Sequence, residues 1–176
     1  MGTSFAIDVP QFLVERLKRG DMRALEEVYR LFEQPVHALA WRLLNDRDEA
    51  REVLHDAMLA VFDKRAQFRG DSPFWGWLRQ IAVNEALMRL RKRRIDYVEE
   101  VPELAELEAS VPAAASRPEL ERALGQLPEL TRSVVWLYYV EGYTHEEIAS
   151  AFGRTPSFSK SQLSRGTARL RAQLAA

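Results

Sequence analysis

The 176-residue chain has no cysteine and only three histidines, His37, His55 and His145, which stand at no metal-ligand spacing. These absences exclude a disulfide framework, thiol redox switching and cysteine-ligated zinc, and neither a metal nor a cofactor is expected. There is no glycine-rich phosphate loop and no nucleophile–base spacing. Glu146 and Glu147 beside His145, and Asp56 beside His55, fall within helical patterns, so an enzyme is not expected. No run approaches the roughly 18 consecutive apolar residues that a membrane-spanning helix needs, and the first residues, MGTSFAIDVP, lack the basic and apolar stretches of a secretion signal. The expected location is the cytoplasm.

What is present is charge, unevenly placed. The net charge of −1 conceals 17 basic and 14 acidic residues over 1–95, one and six over 96–117, and seven and six over 118–176. Residues 89–94 read RLRKRR, and from Ser150 onward there are five cations and no carboxylate side chain. Two basic patches on either side of an acidic stretch suggest two contacts with a polyanion, because clustered Lys and Arg gain nucleic-acid affinity by neutralising phosphates. Either patch alone reads more readily as a solvated helix face.

The apolar periodicity is helical throughout, so the expected fold is all-α. Leu25, Val28, Phe32, Val36, Leu39 and Leu43 recur every three or four residues after Asp21, a residue suited to an N-cap. Pro35 offers a kink in that helix. Ala50, Val53, Leu54, Ala57, Met58, Val61 and Phe62 mark the next helix, and Ser72-Pro73 is a start signal for one carrying Phe74, Trp77, Leu78, Ile81 and Ala82 inward. A shorter helix near 10–19 precedes them. Residues 96–117, with two prolines, an alanine run and few large apolar side chains, read as an acidic linker. Helical pattern then resumes near 118–126, 128–141, 144–152 and 155–174. The expected organisation is two small helical domains, 1–95 and 118–176, joined by that linker.

The most informative stretch begins at Tyr143. Thr144 and Glu147 match a capping box, Ile148, Ala149 and Phe152 form a buried face, and Gly153 ends the helix where a positive φ costs little. Thr155-Pro156 then caps and opens another helix. Two short helices joined by a glycine-containing turn form a helix-turn-helix, whose second helix enters the DNA major groove. At ~100° per residue, with Leu163 centred on the buried side, Ser159, Gly166, Leu170 and Leu174 fall near it. Phe158, Ser161, Arg165 and Arg169 fall opposite, with Lys160 and Arg171 flanking. Arginine pairs with guanine and serine with bases or phosphates, which is the chemistry of a DNA reader.

Both halves resemble the extracytoplasmic-function group of bacterial RNA polymerase sigma factors. LPELTRSVVWLYYVEGYTHEEIASAFG and SKSQLSRGTARLRAQL are similar to that family's region four. GDMRALEEVYRLFEQPV, DRDEAREVLHDAMLAVF and FRGDSPFWGWLRQIAVNEALMRLRKRR are similar to region two, in the same order and spacing. The resemblance implies a polymerase specificity subunit that binds core RNA polymerase and promoter DNA, recognises a duplex minus-thirty-five element and a single-stranded minus-ten element, and is sequestered by an anti-sigma protein. It places Glu52 and Asp56 on the polymerase, with Val61 and Phe62 holding their helix to its neighbours. The acidic linker would run through a cationic nucleic-acid channel.

For the minus-ten element the resemblance and the residues agree: unpaired bases need aromatic or amide surfaces and cations beside them. Trp75, Asn84 and the FRGDSP loop supply the first. Arg79, Arg89, Arg91, Lys92, Arg93 and Arg94 supply the second. Trp77 lies on the apolar stripe and reads as core, whereas Asn84 reads equally as a buried amide or a base contact. For the minus-thirty-five element the implied residues are Phe158, Lys160, Ser161, Gln162, Arg165 and Arg169.

The chain departs from the family pattern at several positions. Arg51 stands where an acidic residue is frequent, His55 replaces a glutamine and Met88 an aspartate. Phe158-Ser159 replaces Thr-Val, so either the helix start shifts to bury Phe158 or its ring meets a thymine methyl. Gln162 in place of arginine offers an adenine-type contact. A helix-turn-helix regulator with a helical sensor domain, and a helical adaptor without nucleic-acid affinity, are the alternatives; the Trp75–Arg94 segment distinguishes them, since neither needs a basic-aromatic surface for single strands.

Overall fold

The structure is a computed structural model that describes residues 5–94 and 117–175; the expected linker, apart from Arg117, lies outside the described residues. The chain divides into two compact units, Met1–Met88 and Arg89–Ala176. Among the described residues all regular structure is helical.

The first unit contains α1 (Gln11–Lys18), α2 (Met22–Leu44), α3 (Arg47–Asp63), a 3-10 turn (Arg65–Gln67) and α4 (Phe74–Arg94), whose last turns pass the division at Arg89. Asp21 caps α2 by accepting from the Arg23 amide, and Asp46 caps α3 by accepting from the amides of Asp48 and Glu49. Between these helices Asn45 takes a left-handed conformation, φ 53°, which asparagine tolerates better than most residues. That reversal lays α3 along α2. Val28, Phe32, Val36, Leu39 and Leu43 of α2 are buried, as are Val53, Ala57, Met58 and Val61 of α3. Pro35 lies inside α2 and the helix continues through it.

The start of α4 differs by a residue from its sequence signal. Pro73 flanks the helix and its carbonyl accepts from the amides of Gly76 and Trp77, so proline closes the first turn from outside instead of occupying it. A chain of rings holds this end in place: Phe5 to Phe32 at 6.2 Å, Phe32 to Phe74 at 6.4 Å, Phe74 edge-on to Phe68 at 5.2 Å, and Trp77 at 5.3 Å from Phe68 and 5.5 Å from Phe74. Trp77 therefore packs with the core rings, as its place on the apolar stripe suggests, while remaining half-buried.

The second unit contains α5 (Arg117–Gly125), α6 (Glu129–Tyr139), α7 (His145–Phe152) and α8 (Pro156–Leu174). α8 packs against the other three. Ala123, Leu124, Leu127, Val135 and Leu170 form a buried cluster, flanked by Leu120, Trp136, Leu163 and Leu174. Gly166 marks the closest approach of α8 to α6: a Cβ there would lie 2.4 Å from Val135 Cγ2 and 2.9 Å from Thr131 Cγ2. Gly166→Ala is expected to destabilise the protein by about 1–3 kcal/mol through overpacking, despite the better helix propensity of alanine. Urea unfolding of Gly166→Ala, Val135→Ala and the double variant checks this. A double variant no more stable than the additive sum would show that the helices separate freely.

Candidate nucleic-acid interface

The helix-turn-helix forms as its sequence signals require. The Thr144 hydroxyl accepts from the Glu147 amide at 3.2 Å while the Glu147 carboxylate accepts from the Thr144 amide at 2.8 Å, and Gly153 ends α7 at φ 63°. Pro156 opens α8, but the Thr155 side chain makes no capping hydrogen bond, so only the proline half of that start signal operates. Three residues, Gly153 to Thr155, separate the helices.

The buried side of α8 centres on Ser159, Gly166 and Leu170, with Gln162 and Thr167 beside them, instead of on Leu163, which is half-buried. Two expected DNA contacts are thereby withdrawn from the exposed face. Gln162 is buried and its Oε1 accepts from the Thr131 hydroxyl of α6 at 2.7 Å, so its amide is turned into the unit and away from any base. Ser161 is also buried. Lys160 and Arg169 are exposed and Arg165 is half-exposed. Phe158, Arg165 and Arg169, seven and then four residues apart, lie on one side of α8. Phe158 is half-buried, its ring 6.0 Å from Phe152 and beneath the Arg154 guanidinium at 6.0 Å. The helix start thus partly buries the ring.

Sequence reasoning missed a polar junction between α7 and α8. The Ser159 hydroxyl, fully buried, and His145 Nδ1 share a hydrogen bond of 2.9 Å, and the imidazole stacks on Tyr138 at 4.7 Å. The hydroxyl placed toward the core by the Phe158-Ser159 departure was the available signal; its partner lay 14 residues away. Burial, aided by nearby Lys160 and opposed by Glu146, holds the His145 imidazole below its usual 6.5.

In the first unit the expected minus-ten residues do not share one face. Trp75 is half-buried and the Arg79 guanidinium lies over its ring at 5.6 Å, so the indole is already stacked on one side. Asn84, nine residues on and therefore about half a turn away, is exposed; its Oδ1 accepts from Gln80 Nε2 at 3.2 Å. That exposure rules out the buried-amide reading. Met88 continues the Gln80–Asn84 stripe, 46% exposed. Arg91 and Lys92 are exposed and Arg89 half-buried, while the side chains of Arg93 and Arg94 lie outside what is described.

The remaining surface is on α3, where Glu52 is exposed and Asp56, one turn on, is half-buried; His55 and Leu59 lie on the same side, Leu59 50% exposed. Arg51 pairs with Asp48 at 3.4 Å in the open. Val61 is buried, and Phe62 is half-buried with the Arg65 guanidinium over its ring at 4.3 Å. No helix among the described residues is long and apolar enough to cross a membrane, and none of their side chains cluster as a metal site.

Comparison with known proteins gives two family matches: "Sigma-70 region 2" over residues 28–95 and "Sigma-70, region 4" over 117–170. The chain is 33% identical over 156 residues to the RNA polymerase sigma-H factor of Pseudomonas aeruginosa, covering 80% of both chains. It is 31% identical over 154 residues to the ECF RNA polymerase sigma factor SigM of Mycobacterium tuberculosis, covering 86% of this chain and 77% of that one. Its fold is similar to that of the sigma factor RpoE of Bartonella quintana, solved in complex with the anti-sigma factor NepR, with a TM-score of 0.55 at 23% identity over 86% of this chain and 96% of that one.

The His145 junction makes stability depend on pH in a defined direction. A folded-state pKa below the unfolded value means that the unfolded chain binds the proton first as pH falls. The contribution of neutral His145 is therefore complete above about pH 6.5 and declines as pH drops from there toward the folded pKa. Urea midpoints at pH 7.5 and 5.5 should fall more for the wild type than for His145→Asn, which keeps a hydrogen-bonding group for Ser159 without titrating. Equal falls would remove His145 as the cause.

Proposed function

The chain belongs to the extracytoplasmic-function group of RNA polymerase sigma factors, and from that membership we propose how its surfaces divide the work of promoter recognition. It is a sigma factor that binds core RNA polymerase and directs transcription to promoters carrying suitable minus-thirty-five and minus-ten elements, with the polymerase supplying all catalysis. The observation that carries the division is that the cationic outer face of α8 and the exposed amide of α4 lie on separate units, each matching its own region.

In this reading α8 enters the major groove of the minus-thirty-five element. Arg165 and Arg169 meet base edges, and Lys160, on the flank, meets phosphates. Asn84 contacts an unpaired minus-ten base, Trp75 stacks with its free face, and Arg79, Arg89, Arg91, Lys92, Arg93 and Arg94 hold the backbone. Glu52 and Asp56 of α3 dock on core polymerase, and the exposed Leu59 on the same side adds an apolar contact. The acidic residues 96–117 occupy a cationic channel of the polymerase. The protein works in the cytoplasm, where its template is, and its polymerase- and DNA-binding surfaces are those an anti-sigma protein would cover.

Run-off transcription with core polymerase over a randomised promoter library tests this reading; transcripts that begin where core alone begins them would overturn it. In the same holoenzyme, Arg165→Ala should relax preference at one or two minus-thirty-five positions and weaken binding by about 1–3 kcal/mol. Lys160→Ala should weaken binding evenly across sequences and reduce the salt slope by about one.

The half-buried Phe158 ring lies on the same side of α8 as Arg165 and Arg169, and in this reading it meets a thymine methyl. Binding of Phe158→Ala to duplexes that differ only in thymine against uracil measures it: the variant should lose affinity mainly for the thymine duplex. Equal losses on both would assign Phe158 wholly to packing on Phe152.

A further inference from the structure

Lys18, the last residue of α1, makes a contact that none of the surfaces above requires. Its Nζ donates to the carbonyl oxygen of Phe68 at 2.9 Å. α1 precedes residue 28, where the region 2 match begins, yet this bond reaches the root of the loop that leads into α4. Phe68 is the last buried residue before five exposed ones, Arg69, Gly70, Asp71, Ser72 and Pro73, and Phe74 is the first buried residue after them. The loop is thus a finger rooted in two aromatic plugs that meet edge-on at 5.2 Å. Near its tip Gly70 sits at φ 83°, and Arg69 and Asp71 pair at 3.0 Å in the open.

Packing of the Phe68 ring fixes where the loop begins, and the Lys18 bond acts instead on the peptide plane that follows it. The direction in which Arg69 departs depends on that plane, and the ammonium of Lys18 pins its oxygen with a charge-assisted hydrogen bond. α1 is itself secured: Leu13, Val14 and Leu17 are buried, and Arg16 pairs with Asp21 at 2.8 Å and Glu27 at 3.0 Å. The hydrogen bond from Arg16 holds the Asp21 carboxyl below its usual range. The anchor at one end of the Lys18 bond is therefore as firm as the one at the other.

We propose that Lys18 is a positioning residue for capture of the unpaired minus-ten strand, setting through the Phe68 carbonyl the direction of the 69–73 loop. This rests on the reading of that loop as part of the minus-ten surface. The test uses the full chain assembled with core RNA polymerase on fork templates whose minus-ten bases are already unpaired, with each non-template base varied in turn. Lys18→Met should lower discrimination at the loop-held base on the order of tenfold, the size that an ordinary charge-assisted hydrogen bond corresponds to. Core binding should not change, and Lys18→Arg should restore most of the loss. Arg30→Met, which removes an exposed ion pair with Glu26 within α2, should leave base preference intact. Retained discrimination in Lys18→Met, or in Lys18→Gln if the methionine variant does not assemble, would overturn the proposal. So would the same loss in Arg30→Met. A chain with alanine at Arg69, Asp71 and Ser72 that keeps wild-type preference would instead remove the reading of the loop itself.

Discussion

Gly166 lets α8 lie so close to α6 that a Cβ in its place would press on the Val135 and Thr131 side chains. Much of the second unit follows from that seat. With the helices this close, the Thr131 hydroxyl reaches Gln162 and Leu170 is fully buried among Leu124, Leu127 and Val135. One side of α8 is consumed by three partner helices, and the side left outside carries Arg165 and Arg169, with Lys160 at its flank. A helix that must be both the hub of a small core and a groove reader needs its two sides divided sharply, and a glycine at the tightest contact sets the division.

Polar groups then make this small core specific. Arg132 is buried and donates to the Leu127 carbonyl, Ser133 to the Glu129 carbonyl, and Thr167 to the carbonyls of Leu163 and Ser164. Trp136 Nε1 donates to Glu141. A buried polar group left without a partner costs about 1–3 kcal/mol, so these bonds act less by adding stability than by penalising other packings of the same apolar residues. The first unit is organised differently. The core side chains described above are apolar and aromatic, and the ion pairs of Arg30 with Glu26 and Arg51 with Asp48 are exposed.

The helices and their order were legible because their ends are written locally: Asp21, Thr144 with Glu147, Gly153 and Pro156 all mark boundaries within a residue or two. The face of α8 was less so. Centring the wheel on Leu163 puts a large apolar residue deepest, whereas helices approach most closely over small and hydroxylated residues, here Ser159, Gly166 and Thr167. That rotation buried Gln162 and Ser161. Trp75 was read as an open platform because periodicity cannot foresee a cation one turn away folding over the ring. Lys18 and His145 escaped notice because their partners are distant in sequence, where no pattern of spacing can reach them.

Phe158 belongs at once to the core edge, through Phe152 and Arg154, and to the side of α8 that faces outward. On the proposed reading, substitutions there would alter promoter choice only while also disturbing the turn into α8. On the proposed reading, drift in sequence preference therefore falls to Arg165 and Arg169, which lie outside the buried side of α8. The aromatic works as a ratchet on divergence: paralogues arising from this chain would be expected to differ first in their cations and last in the ring.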